Sequence, residues 1–328
     1  MATASLPRQR RSRNPIVAED RIAGWVFLIP SLIVFTGFIF GPVIYAFWLS
    51  LRDYQLINPS KAHFIGLDNY RTLLSNRDFH VALRNTIWYT IGVVPAQTAI
   101  GLVLAVLANR KIRGRSFFRT AFYFPSISSS VVISIIFLWI YSSNGLLNFL
   151  LRSIGLPTPR PVWLSNPNGM IGMALGWVGI DSVTPWLAGP SIAMLSIMML
   201  NIWTTTGTMM VIFLAGLQDV PGDVYEAASL DGASRVRMFR DITVPLLKPV
   251  IFFVVTLGLI GSFQVFDQIW VMSEGGPAKT TTTVAYLIYV EAFEQGKGLG
   301  YASALSVVLF AIIIGLFLIQ RRFAGSNT

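Results

Sequence analysis

Residues 22–51 read IAGWVFLIPSLIVFTGFIFGPVIYAFWLSL, thirty positions without one charged side chain. A bilayer's hydrocarbon core is about 30 Å thick, and a helix needs about 20 apolar residues to cross it. The run is too long for the core of a signal peptide, and no convincing small-residue cleavage site follows it. It therefore reads as a retained first membrane span.

Five more runs of this kind follow: Val81–Ala108, Phe117–Tyr141, Ser191–Leu217, Val250–Met272 and Tyr301–Ile319. Pro42 and Pro95 lie inside the first two spans, where packed neighbours tolerate the lost hydrogen bonds. The expected fold is an all-α membrane protein of six transmembrane helices. Its parts are a disordered tail (1–21), a transmembrane domain (22–320) and a short tail (321–328). Composition agrees. Of 328 residues, 54% are hydrophobic and 12% charged, where a soluble domain carries about 25% charged residues.

The net charge of +10 allows nucleic-acid binding as one reading, but the positions of the charges decide against it. With the N-terminus inside, segments 1–21, 109–119, 218–248 and 321–328 face the cytoplasm and hold 16 of the 25 Lys and Arg residues. That is the positive-inside bias. It places both termini in the cytoplasm and accounts for the basic pI without nucleic acid.

The chain has no cysteine and two histidines, His63 and His80, both in polar stretches. Disulfides and thiolate chemistry are excluded, and neither a His-ligated metal site nor a Ser-His triad is expected. The segment 170–190 is apolar in its middle (GMALGWVGI) but interrupted by Asp181 and Pro185. Its clean run is too short to cross, and Trp177 and Trp186 suit an interface. It is expected to lie outside the bilayer core on the external side.

The most informative stretch is QDVPGDVYEAASLDGASRVRMFRDITVPLLKP, residues 218–249. Pro221 fits a helix start, and Asp223 and Glu226 favour its positive end. Tyr225, Ala228 and Leu230 form a small apolar face. Asp231-Gly232 stops the helix, and Ser234 caps a second one. Along that second helix Val236, Phe239, Ile242 and Thr243 recur at helical spacing, and Pro245 and Pro249 end it. Ala227, Ala228, Gly232 and Ala233 make a tip that another protein can approach closely. On composition alone, an ordinary solvated loop fits equally well.

This loop resembles the EAA loop of bacterial ABC importer permeases. Glu226-Ala227-Ala228 opens it, Asp231-Gly232-Ala233 completes the sugar-permease form, and Ile242 and Pro245 follow at the family's spacing. Val244 stands where Leu is usual. GLDNYRTLL (66–74), FHVALRNTIWYT (79–90), NGLLNFLL (144–151), FLAGLQDVP (213–221) and FDQIWVMSEGGP (266–277) extend the resemblance to MalF-type sugar permeases. The apolar segment around 170–190 departs from that family.

The resemblance implies a non-catalytic subunit that carries no cofactor, with ATP and Mg bound by a partner ATPase. Its implied partners are a MalG-type permease, two ABC ATPase subunits, an extracytoplasmic solute-binding protein and membrane lipid. The cytoplasmic loop would be a coupling helix-turn-helix between spans four and five. Its coupling residues would be Glu226, Ala227, Ala228, Asp231, Gly232, Ala233, Phe239, Ile242 and Pro245.

Within the spans, polar and aromatic residues are the candidates for a solute path. They are Asn201, Trp203, Thr204, Thr205 and Thr206 in span four, and Gln264, Phe266 and Asp267 in span five. Sugars need hydrogen-bonding groups beside apolar faces, but Thr and Asn also join helices to one another. Asp267 has a structural reading too, as a partner of Arg84. GGPAKTTT (275–282) lacks the glycine a phosphate loop needs before its lysine, and Gly37 and Gly41 form a GxxxG that chance also produces. An ion-coupled secondary transporter is the alternative; it needs ion sites near the midplane, for which Asp267 alone qualifies.

Overall fold

The structure is a computed structural model that describes residues 15–110, 113–159, 161–180, 184–294 and 297–325. Four of its helical stretches are long and apolar enough to cross a membrane: Ala23–Ser50, Arg77–Asn109, Ile192–Gln218 and Leu299–Arg322. Two bent pairs bring the number to as many as six.

The first stretch comprises α1 (Pro15–Phe35), a π turn (Thr36–Phe40) and α2 (Gly41–Ser50). It begins seven residues inside the expected tail, with Pro15 at the helix start, where a missing N–H costs nothing. Residues 1–14 lie outside the described set. Among the described residues no neighbouring helix packs over Gly37 or Gly41; Gly37 lies inside the π turn and Gly41 follows it. Pro42 follows that turn at the head of α2, where its missing donor is absorbed by the rewound backbone. Most of the stretch is exposed. Phe47 of α2 reaches Phe310, with ring centroids 6.3 Å apart.

A two-residue antiparallel pair follows, Arg52↔Phe64 and Asp53↔His63, a departure from an all-helical chain. The Asn69 amide donates to the carbonyls of Ser50 and Arg52 and fixes this corner to α3 (Asp68–Ser75). Next comes α4 (Arg77–Asn109), 33 residues capped by Asn76, whose side chain accepts from the Asp78 N–H.

The third expected span is broken. It consists of α5 (Arg115–Ile127) and α6 (Ser130–Ile140), which meet at 97°. Pro125 and the run of serines after it explain the break, because Ser128 is extended and cannot continue the helix. The end of α5 is anchored instead. Ser126 Oγ donates to the Thr204 carbonyl and accepts from the Thr208 N–H. Then come α7 (Leu146–Ser153) and α8 (Met170–Gly176).

The segment 170–190 does not span. α8 has seven residues, and the chain folds back on itself through Met170 N–H to Pro190 O and Gly172 N–H to Ala188 O. Trp88 Nε1 donates to the Trp186 carbonyl and holds the segment against α4. Asp181 lies outside the described residues.

α9 (Ile192–Gln218) packs along α4 as the centre of the bundle. Small residues permit their close approach: a Cβ at Gly101 would come 2.9 Å from Met209 Cβ. Then follow α10 (Gly222–Leu230), α11 (Arg235–Met238), a second π turn (Phe239–Thr243), α12 (Val244–Leu246) and α13 (Lys248–Phe263). A 70° bend separates α13 from the helical stretch before it.

The fifth expected span, Val250–Met272, ends early at Phe263. Gln264–Phe266 are not helical, and α14 (Asp267–Met272) starts afresh. The Thr283 hydroxyl donates to the Val265 carbonyl, which the break leaves without a helical partner. α15 (Val284–Tyr289) and α16 (Leu299–Gly325) complete the chain. α16 extends into the expected C-terminal tail, whose last three residues lie outside the described set.

Candidate functional site

The hairpin formed by residues 222–246 leaves the bundle between α9 and α13. Its first helix, α10, has Pro221 at the N-cap position, one residue ahead of the expected first turn, and Asp223 in that turn. Its end is closed by two backbone bonds, Gly232 N–H to Ser229 O and Ala233 N–H to Ala228 O. This pairing satisfies the last carbonyls of a helix and requires a left-handed residue between them. Gly232 supplies it at φ +75°. Ser234 then caps α11 by accepting from the Arg237 N–H.

The second half of the hairpin is wound differently from a plain helix. The π turn shifts the register, so Phe239, Ile242 and Thr243 face inward while Val236 stands 76% exposed. Val236 is therefore no part of the buried stripe that its spacing suggested. Pro245 does not end the helix either. It heads α12 directly after the π turn, as Pro42 does in α2, and the bend falls at Leu247. Pro249 lies in the first turn of α13. The Tyr225 hydroxyl lies 3.1 Å from Thr243 Oγ1, and Thr243 also donates to the Met238 carbonyl.

The tip of the hairpin faces away from the protein. Glu226, Ala227, Asp231 and Gly232 are exposed, and Ala228 and Ala233 are half-buried. Leu230 is 88% exposed, so it stands outside the face it was expected to share with Tyr225 and Ala228. An exposed leucine beside small residues and two carboxylates makes a surface suited to a partner with an apolar groove. The hairpin also lies at the end of the bundle that carries the basic loops. Arg110 and Arg235 line one cleft there, and Arg119 donates to the Ala108 carbonyl at 2.9 Å, closing the end of α4.

The candidate path residues separate into two groups. Thr205 Oγ1 lies 2.5 Å from Gln97 Oε1 and 2.7 Å from the Asn201 carbonyl, two acceptors that share its one hydroxyl proton. Thr204 and Thr206 bond back to the carbonyls of Asn201 and Ile202. Thr205 thus ties α9 to α4, while Thr204 and Thr206 bond within α9 itself. Gln97 is the buried partner that the sequence reading passed over; its signal was a lone amide in VVPAQTAIGLV. Trp203 differs, half exposed with its ring 5.5 Å from that of Phe137.

Gln264 and Asp267 are both exposed at the break after α13. Asp267 makes no ion pair among the described residues, so its pairing with Arg84 is not realised. The pair formed in that region is Lys279–Asp78 at 2.8 Å. Phe266 belongs to an aromatic group with Trp270, Tyr286 and Tyr289, at centroid distances of 5.2–6.3 Å. The stretch 275–282 is a packed turn: the Asn85 amide donates to the carbonyls of Lys279 and Thr282. Among the described residues no three His, Cys, Asp or Glu side chains converge as a metal site would require.

Comparison with known proteins gives a consistent result. The family model described as "Binding-protein-dependent transport system inner membrane component" matches residues 97–325. "Probable ABC transporter permease protein YurN" of Bacillus subtilis is 35% identical over 94% of this chain and 98% of its own. "Trehalose/maltose transport system permease protein MalF" of Thermococcus litoralis is 33% identical, covering 91% of this chain and 92% of its own. "Arabinooligosaccharides transport system permease protein AraP" of Bacillus subtilis is 31% identical over 94% and 90%. A chain in the crystal structure of a bacterial ABC transporter involved in import of the acidic polysaccharide alginate superposes with TM-score 0.74. It is 22% identical and covers 96% of this chain and 98% of that one, a likeness of fold.

Proposed function

The chain belongs to the binding-protein-dependent transport system inner membrane components, a family of multi-pass membrane proteins, and from that premise we propose that it is the MalF-type permease subunit of an ATP-driven carbohydrate importer. Six spans cross the bilayer, the third and fifth of them bent, and both termini face the cytoplasm with the basic loops.

The hairpin is the coupling element. It enters a groove on an ATPase subunit, and ATP-driven closure of two ATPases moves it as a rigid body against the bundle. Glu226, Asp231 and Gly232 form its tip, Ala227, Ala228 and Ala233 let the partner approach, and Phe239, Ile242 and Pro245 seat it on α13. ATP and Mg belong to the ATPase. A MalG-type permease provides the other half of the path, and an extracytoplasmic binding protein delivers solute. Trp203, Asn201, Gln264, Phe266 and Asp267 are the residues we assign to the path. Among the relatives, the names of MalF and AraP specify trehalose, maltose and arabinooligosaccharides, and a short sugar chain is the proposed solute class here.

The observation that carries this reading is the outward-facing hairpin tip, where Ala227, Leu230 and Gly232 stand exposed beside Glu226 and Asp231 among the described residues. The test is ATP hydrolysis by the reconstituted complex as solute-loaded binding protein is added. Wild type is expected to respond, and Glu226→Lys to assemble without responding. Uptake that follows an ion gradient, with no ATPase response in wild type, would overturn the proposal.

A further inference from the structure

The two flanks of the hairpin differ in charge. On one, a cleft of about 320 Å3 contains its own counter-charges, with Arg237 3.7 Å from Asp241 and Asp231 beside them. On the other, a cleft of about 460 Å3 opens between the hairpin and the end of α4. Arg110 at the end of α4 and Arg235 of the hairpin line it, together with Asn109, Tyr225 and apolar Leu217 and Phe239. Among the described residues no carboxylate lines this cleft. Among the described residues neither Arg110 nor Arg235 forms an ion pair.

We propose that this second cleft binds a phosphate group. Two arginines lining one cleft, with no carboxylate among its described lining residues, leave a positive field that concentrates anions. The guanidinium fork matches phosphate oxygens through paired charge-assisted hydrogen bonds. The apolar side chains accommodate part of the molecule that bears the phosphate. Two sources share this chemistry, the headgroup of an anionic phospholipid and a free phosphate anion. An occupant would bridge α4 and the root of the hairpin, and so bias the hairpin's position. The inference goes beyond the coupling role proposed above, and binding is read directly, so its failure leaves that role standing.

The experiment uses the full chain purified in mild detergent, with bound species counted by native mass spectrometry. The probes are phosphatidylglycerol, phosphatidylcholine and inorganic phosphate. Wild type is expected to retain phosphatidylglycerol over phosphatidylcholine, or to bind inorganic phosphate. Arg110→Gln/Arg235→Gln should weaken that binding about tenfold or more, the loss of charged hydrogen bonds. Arg115→Gln/Arg240→Gln removes equal charge from exposed positions outside the cleft, and should bind as wild type does. The single variant Arg110→Gln lies outside the hairpin and covers the case in which the double variant does not fold. A lipid response lost in the cleft variants assigns the headgroup, and a phosphate response lost in them assigns the free anion. Binding by neither, or equal loss in both pairs of variants, would overturn the site.

Discussion

The Tyr225 hydroxyl and Thr243 Oγ1, 3.1 Å apart, join the first helix of the hairpin to the π turn of its second half. Thr243 is buried and keeps a second bond, to the Met238 carbonyl. Removing the phenol therefore separates the helices without orphaning the threonine. Tyr225→Phe is expected to cost about 1 kcal/mol locally, the net worth of one neutral hydrogen bond. Binding-protein-stimulated ATP hydrolysis should fall several-fold, with the ATPase still copurifying. Unchanged stimulation would mean that the hairpin transmits force without this tie.

Gly232 gives a graded test of the helix stop. Nothing lies within 4 Å of a Cβ built there, so the cost of a side chain comes from φ +75° alone. Gly232→Ala should cost about 1 kcal/mol, the penalty for a left-handed residue bearing Cβ, and lower stimulation partially. Gly232→Pro cannot adopt that φ and should abolish stimulation, while thermal unfolding of the bundle stays near wild type. A bundle that unfolds in Gly232→Pro would show that the hairpin supports the fold.

Trp203 and Thr205 separate path from packing. Thr205→Val removes the bond to Gln97, and such bonds between membrane helices are worth about 0.6 kcal/mol. A slight loss of thermal stability is expected, with the apparent KM for uptake unchanged. Trp203→Ala should raise that KM, because its half-exposed ring offers a face to solute. The reverse pattern would exchange their roles.

Gly207 marks the point where α9 meets the broken third span. A side chain there would collide with the Phe122 carbonyl and Ser126 Oγ. Gly207→Val is expected to destabilise by about 1–3 kcal/mol, the usual cost of overpacking. Heating in detergent while following tryptophan fluorescence checks it; an unchanged midpoint would mean that α5 moves aside freely.

Because the chain has no cysteine, single introduced cysteines report its orientation cleanly. Ser229→Cys, on the hairpin, should react with a membrane-impermeant maleimide only once the cytoplasmic face is opened. Ser60→Cys, before the second span, should react in intact cells. Both positions are exposed, and the opposite pattern would invert the proposed topology.

Sequence hydropathy and local helix signals by themselves determined much of this protein. Long apolar runs specify membrane helices because a bilayer offers backbone groups no other partner, and four of the six expected runs are unbroken helices. The hairpin's stop and second start were legible because Gly232 and Ser234 act on backbone groups a few residues away. Tertiary structure decided the rest. The third and fifth runs look no different from the others in hydropathy, yet both break: distant Thr283 satisfies the Val265 carbonyl freed in the fifth, and Ser126, at the end of α5, bonds the Thr204 carbonyl and Thr208 N–H of distant α9. The same holds for Thr205, whose partner lies 108 residues away. Composition announces that such a residue needs a hydrogen bond; only the packing of α4 against α9 says which group supplies it.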